Sequence, residues 1–232
     1  SMSDSEISVI IPVYNEENTI GKLLSELKKR SRFGLCEIVV VDGGSTDRTR
    51  KIAEEAGATV IESEKKGRAA QMNAGAAYAQ AEILYFLHAD TIPPYSFDAY
   101  ILKSVANGFG AGCFSLCFDD PHPGLRFYSW FTKFGSTLIR FGDQSLFVKS
   151  KIFKEVNGFD GSLIVMEDQQ IVRKIKRVTR FRVINEPVLT SARKYRKNGV
   201  YRLQAVFFLI WAGYYFGFSQ QVLTYIYQKY IN

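Results

Sequence analysis

Short, nearly continuous apolar runs alternate with helical patterns along the first half of this chain. Ile7–Val13 (ISVIIPV), Glu37–Val41 (EIVVV), Thr59–Glu62 and Glu82–Leu87 (EILYFL) are such runs. Their length and β-branched content predict strands buried on both faces of a sheet. Between them, Ile20, Leu23, Leu24 and Leu27 keep the spacing of one helix face, and Ala69–Ala81 is an Ala-rich helix former. Strands alternating with helices of this length predict βαβ units and a mostly parallel sheet.

Ligands of such sheets bind outside the carboxyl ends of the strands. The first strand ends in Pro12-Val13-Tyr14-Asn15-Glu16-Glu17, the second in Asp42-Gly43-Gly44-Ser45-Thr46-Asp47 and the fourth in His88-Ala89-Asp90-Thr91. Each end also has an ordinary reading. Asn15 or Asn18, and Ser45 or Asp47, could cap the helices that follow. Gly43 and Gly44 could serve a tight turn. Asp42 fits these readings less well, because it closes an apolar strand with no basic neighbour in sequence; a carboxylate there suits an acceptor for a base-edge N–H. Asp90 likewise ends an apolar run, and a lone carboxylate beside phosphate suits a divalent ion, Mg2+ or Mn2+. Two histidines exclude a His-rich metal site. Neither G-x-G-x-x-G after the first strand nor G-x-x-x-x-G-K-[ST] anywhere is present, which argues against dinucleotide-binding and P-loop enzymes.

Taken together, IPVYNEE, VVVDGGSTDRT, GRAAQMNAGAAYAQAEILYFLHADT and MEDQQIVRKIKR resemble the family 2 glycosyltransferases of the GT-A fold. HAD at the metal motif, GDQ-x-LFV and the S-A-R-K-Y segment are similar to a bacterial subgroup named for its association with radical-SAM/selenodomain proteins. The resemblance implies an α/β GT-A domain over residues 1–198 with a helical hairpin over 199–232. It implies transfer of a sugar, with inversion, from a nucleotide-diphosphate donor, UDP-linked by the aspartate match. The acceptor is left open among lipid, glycan and small molecule. By position, Pro12, Tyr14 and Glu16 would hold base and ribose, Asp42 would read uracil, and Asp90 would bind the metal that bridges the diphosphate. The first carboxylate of that D-x-D motif is here His88. Arg68 would approach the diphosphate, with Gln71 and Asn73 as weaker candidates from the same loop. Arg193, in Arg193-Lys194-Tyr195-Arg196-Lys197, would stabilise the departing diphosphate from a basic lid.

In the second half, Gly110–Phe118 and Ser145–Val148 read as strands, and Pro121–Phe141 is rich in aromatics suited to core or to an acceptor site. The resemblance makes Asp143, Gln144 and Glu167 candidates for acceptor contacts, with Glu167 alternatively orienting its loop. It makes Asp168 the general base. A carboxylate pair opening a helix also has an ordinary explanation, since it stabilises the positive end of the helix dipole.

The net charge of +7 is uneven: residues 1–116 carry −3 and residues 117–232 carry +10. That suggests an anionic partner, and no motif supports nucleic acid. Leu203–Phe218 is almost wholly apolar, and after Ser219-Gln220-Gln221 the pattern resumes over Val222–Ile231. A helical hairpin fits, packed on the domain, on a second copy as a homodimer, or as a peripheral anchor on anionic lipid. Cys36, Cys113 and Cys117 read as buried or half-buried thiols of a reducing compartment. The expected location is therefore cytoplasmic, with a peripheral place on the inner face of the membrane if the hairpin touches lipid. Two rival readings are a sugar-phosphate nucleotidyltransferase and a catalytically weak binding or membrane-scaffold protein.

Overall fold

The structure, a computed structural model, describes residues 6–33, 36–131 and 145–231. Asp143 and Gln144 therefore lie outside the described residues. In chain order the elements are β1 (Ile7–Val13), α1 (Ile20–Arg30), β2 (Cys36–Asp42), α2 (Thr49–Glu55), β3 (Thr59–Glu62), α3 (Arg68–Tyr78), β4 (Ile83–Phe86), β5 (Thr91–Ile92) and α4 (Phe97–Ala106). There follow β6 (Ala111–Phe118), α5 (Pro123–Phe131), β7 (Leu146–Lys149), α6 (Ser150–Glu155), α7 (Glu167–Val178), β8 (Phe181–Thr190), α8 (Arg193–Asn198), α9 (Val200–Tyr215) and α10 (Gln220–Tyr230).

One eight-stranded sheet runs in the order β3-β2-β1-β4-β7-β6-β8-β5. β1 pairs in parallel with β2 on one side and β4 on the other, so three strand ends share one edge. β7 is antiparallel to both β4 and β6, and β8 returns parallel to β6. Every residue of β1 and β4 is buried, as their continuous apolar runs require. β3 departs from that expectation. It is the sheet edge, and none of its four residues is fully buried.

β8 and β5 have no counterpart among the strands read from sequence. Arg182, Asn185, Glu186 and Pro187 interrupt the β8 pattern, and the pairing with β6 shifts register between Phe114 and Ser115, stepping from Ile184 to Pro187 on β8. β5 is two residues long. Its pairing with β8, reinforced by the Thr91 and Thr190 hydroxyls 3.0 Å apart, brings the start of α8 beside the end of β4.

The core has two layers. On one side of the sheet, α1 and α9 bury Leu23, Leu24, Leu27, Leu203, Val206 and Ile210 against the strands; on the other, α3 and α7 bury Met72, Ala76, Ile171 and Ile175. α10 adds Leu223 to the first layer. Cys113 is buried as expected, whereas Cys117, on the outward side of β6, is exposed.

α3 approaches the sheet so closely that Gly75 has no room for a side chain. A Cβ there would stand 2.4 Å from Ile10 Cγ2 and 2.9 Å from Val41 Cγ2. Alanine normally improves a helix interior, but at this contact overpacking outweighs propensity. We expect Gly75→Ala to lower the unfolding free energy by about 1–3 kcal/mol, read from urea midpoints at constant slope. A stabilised variant would contradict the contact.

Candidate functional site

A cleft of about 370 Å³ opens over the C-terminal ends of β1 and β4. Pro12 lines it from β1, Tyr14 and Glu16 from the loop that follows, Arg68 and Gln71 from α3, His88 and Asp90 from the segment after β4, and Arg193 and Lys194 from α8. Of the sequence-predicted donor residues, six therefore converge: Pro12, Tyr14, Glu16, Arg68, Asp90 and Arg193.

Asp42 is placed differently. It is completely buried and is not among the residues lining the cleft. Its carboxylate accepts the backbone N–H of Gly44 (3.1 Å) and of Ser45 (3.1 and 3.3 Å to its two oxygens). A base-edge contact from Asp42 requires the turn to give up part of that bonding. The two glycines of the turn also differ. Gly44 has φ +96°, a left-handed conformation that favours glycine, whereas Gly43 is needed for space: a Cβ there would lie 2.9 Å from the Gln71 side-chain nitrogen.

Gln71 is strapped to the sheet. Its amide donates to the Val13 and Val41 carbonyls, both at 2.9 Å, and so ties the ends of β1 and β2 together. Asn73 faces away from the cleft and exchanges hydrogen bonds with the backbone of Phe159. The loops after β1 and β2 are stitched to one another. The Asn15 N–H donates to the Ser45 hydroxyl (2.9 Å), Thr46 N–H to the Asn15 side chain (2.8 Å) and Glu16 N–H to the Thr49 hydroxyl (2.8 Å). Asn15 thus fixes the neighbouring loop instead of capping α1, and Asp47 accepts the Thr49 N–H (2.9 Å) in the first turn of α2.

The electrostatics of the cleft centre on two carboxylates. Burial pushes the Glu16 carboxyl above its ordinary value; the Thr19 hydroxyl pulls it back, the Asp90 charge raises it further, and Arg193 and Lys194 lower it. Glu16 and Asp90 thus lie close enough to repel, with two cations facing them. Among the described residues no group of three or more His, Cys, Asp and Glu is placed to hold a metal ion. The chain offers one or two carboxylates, which fits Mg2+ or Mn2+ completing its shell with substrate phosphate and water, and does not fit a preformed protein cage.

The base candidate enters from α7. Met166, the residue before that helix, has φ 69°, a strained left-handed conformation for its type. Glu167 is only 4 % exposed and pairs with the Arg68 guanidinium at 3.4 Å. This ion pair joins the first turn of α7 to the first turn of α3. Nothing in the sequence signals a contact between residues so far apart. Asp168, the residue after Glu167, is half-buried, and neither of the two is among the residues lining the cleft. α8 is fixed by Asp119, whose carboxylate accepts the Ala192 N–H (2.7 Å) and pairs with Arg196 (3.0 Å). Burial opposes ionisation of Asp119, but these contacts hold its carboxyl below the ordinary value. A larger groove of about 890 Å³ runs along β6 and α5, with Leu116, Phe127 and Trp130 in its walls.

The model of glycosyl transferase family 2 matches residues 8–154, and the chain belongs to that family. It is 32 % identical over 104 residues to the dolichyl-phosphate hexose transferase of Haloferax volcanii, a match covering 45 % of each chain. It spans less than half the length of that relative. Among solved structures it resembles S. aureus TarS 1-349 in complex with UDP-GlcNAc, at TM-score 0.67 and 19 % identity over 80 % of this chain and 58 % of that one. It also resembles the mannosyltransferase PcManGT of Pyrobaculum calidifontis in complex with GDP-Man and Mn2+, at TM-score 0.66 and 22 % identity, covering 88 % and 62 %. At these identities the two likenesses show the fold, a GT-A-type α/β sheet flanked by helices.

The raised Glu16 carboxyl makes a signed prediction. A carboxyl whose folded pKa lies above its unfolded value costs stability once both states are ionised, and the cost vanishes below the unfolded pKa. Glu16→Gln should therefore raise the thermal midpoint at neutral pH, and the gain should fade as pH drops through the ordinary carboxylate range. A gain that is constant or grows on acidification would contradict the assignment.

Proposed function

We propose that this protein transfers a sugar from a nucleotide-diphosphate donor, UDP-linked, to an acceptor hydroxyl, with inversion at the anomeric carbon. The observation that carries this reading is the convergence of Glu16, Asp90, Arg68 and Arg193 in one cleft at the point where β1 is flanked by β2 and β4. Two carboxylates and two guanidiniums around a space of this size suit a diphosphate held with a divalent cation. The family membership and the donors bound by TarS and PcManGT support the same class of substrate.

In this reading Pro12 and Tyr14 carry the base, and Glu16 takes the ribose. Asp42 reads the base edge, the Gly44–Ser45 turn giving up part of its bonding to that carboxylate. Asp90 holds Mg2+ or Mn2+, which when bound offsets charge on the diphosphate. Arg68 and Arg193 face the phosphates, where charge grows as the leaving group departs. Asp168 accepts the proton of the attacking hydroxyl on the opposite face of the sugar. The new C–O bond forms as the bond to the diphosphate breaks, and the diphosphate leaves with the electron pair. Glu167, held by Arg68, positions this base, and it links occupancy of the phosphate site to the geometry of Asp168. Asp143, Gln144 and the aromatic groove along α5 are candidates for acceptor contacts, and the GDQ segment is one of three, with HAD and S-A-R-K-Y, that carry the subgroup likeness.

Asp168→Asn tests the base assignment. General bases contribute about 10²–10⁴-fold to such steps. UDP release from a panel of UDP-sugars should fall by that order while donor binding, measured by calorimetry, stays nearly intact. Loss of donor binding with the same substitution would reject the role.

A further inference from the structure

The C-terminal hairpin presents an apolar surface that the rest of the described chain does not cover. Beyond Arg202, α9 is apolar apart from Gln204 and its closing tyrosines, a pattern close to that of a helix enclosed on every side. Its inner face, Leu203, Val206 and Ile210, is buried in the core. Its outer face is open, with Phe208 59 % and Leu209 55 % exposed. The turn into α10 carries Phe216 at 82 % and Phe218 at 55 %, around Gly217 with φ +83°. Ile164, 62 % exposed, extends the patch; its N–H donates to the Gln220 side chain at 3.1 Å, tying the hairpin tip to the segment that leads into Asp168.

Charge identifies what covers this surface. From residue 187 to 232 the chain has no Asp or Glu, while Lys197, Arg202 and Lys229 are exposed cations; Arg193 and Lys194 face the cleft and Arg196 pairs with Asp119 and Asp120. A symmetric contact with a second copy would bring these cations together without an acidic partner from the same segment. α9 is short for a membrane span: its 16 residues reach about 24 Å at helical rise, against a hydrocarbon core of about 30 Å. Among the described residues no helix is long and apolar enough to cross a membrane.

We propose that the outer face of α9 and the turn after it dock on an anionic lipid surface. Phe208 and Leu209 along α9 and Phe216 and Phe218 at the turn enter the headgroup boundary, and Lys197, Arg202 and Lys229, at the other end of the hairpin, face acidic headgroups. The proposal needs no turnover and stands apart from the transferase reading.

Co-sedimentation with vesicles tests it. The protein should bind phosphatidylcholine vesicles containing phosphatidylglycerol about tenfold or more tightly than pure phosphatidylcholine, and high salt should remove most of the difference. Phe216→Glu with Phe218→Glu should weaken binding to the acidic vesicles by about tenfold or more. Arg202→Glu with Lys229→Glu should abolish the preference for acidic lipid. All four side chains are exposed, and circular dichroism checks that each variant is folded. Equal partitioning onto neutral and acidic vesicles, or a double-Glu variant that binds as wild type, would overturn the proposal. So would a solution dimer that the double-Glu variant dissociates while vesicles are not bound, since the occupant would then be a second copy.

Discussion

β1 is hydrogen-bonded in parallel to β2 on one side and to β4 on the other, and the whole cleft depends on that pairing. It puts Val13 level with Asp42 and carries the β4 end past Phe86 to Asp90 on the same edge. The Gln71 amide then locks the ends of β1 and β2 at a fixed separation by donating to a carbonyl of each. Gly43 leaves the space that this amide fills, and Gly75 lets α3 sit low enough to reach it. Lose the close approach of α3, and the strand ends lose their strap while Arg68 loses its place over the cleft.

The second half of the chain supplies charge to an edge the first half has built. The β5–β8 pairing returns the chain to the end of β4, and the Asp119 carboxylate then anchors α8 through the Ala192 N–H and Arg196. Arg193 and Lys194 are thereby set opposite Glu16 and Asp90. This balance accounts for part of the uneven charge along the sequence. Arg193 and Lys194 offset carboxylates from the first half, Arg202 and Lys229 lie on the apolar hairpin, and most of the remaining cations lie from β7 through β8.

Much of the sheet is legible in the sequence, because strands buried on both faces have to be apolar throughout. β1, β2 and β4 meet that condition, and their shared edge follows from βαβ connectivity. β8 was not legible: its register shift and its polar residues break the pattern, and its place in the sheet is set by tertiary pairing with β6 and β5. At the cleft, the shared position of the residues adjoining strand ends was legible, since strand and motif coincide there. Asp42 shows the limit. Its type and position were plain, but its bonding to the Gly44–Ser45 turn depends on a backbone conformation no residue pattern spells out. The Arg68–Glu167 pair joins two helix starts distant in sequence, and only the folded chain reveals it. The same holds for Gln71, whose strap is visible only once β1 and β2 are side by side.

On the proposed reading, the cleft at the ends of β1 and β4 would bind a nucleoside diphosphate together with a divalent cation held by Asp90. Calorimetric titration of UDP into the protein with and without Mn2+, repeated on Asp90→Ala, tests it most directly. The account predicts that Mn2+ strengthens UDP binding by wild type and has little effect on the variant. Binding that ignores Mn2+ in the wild type, or that keeps its full Mn2+ dependence without Asp90, would contradict it.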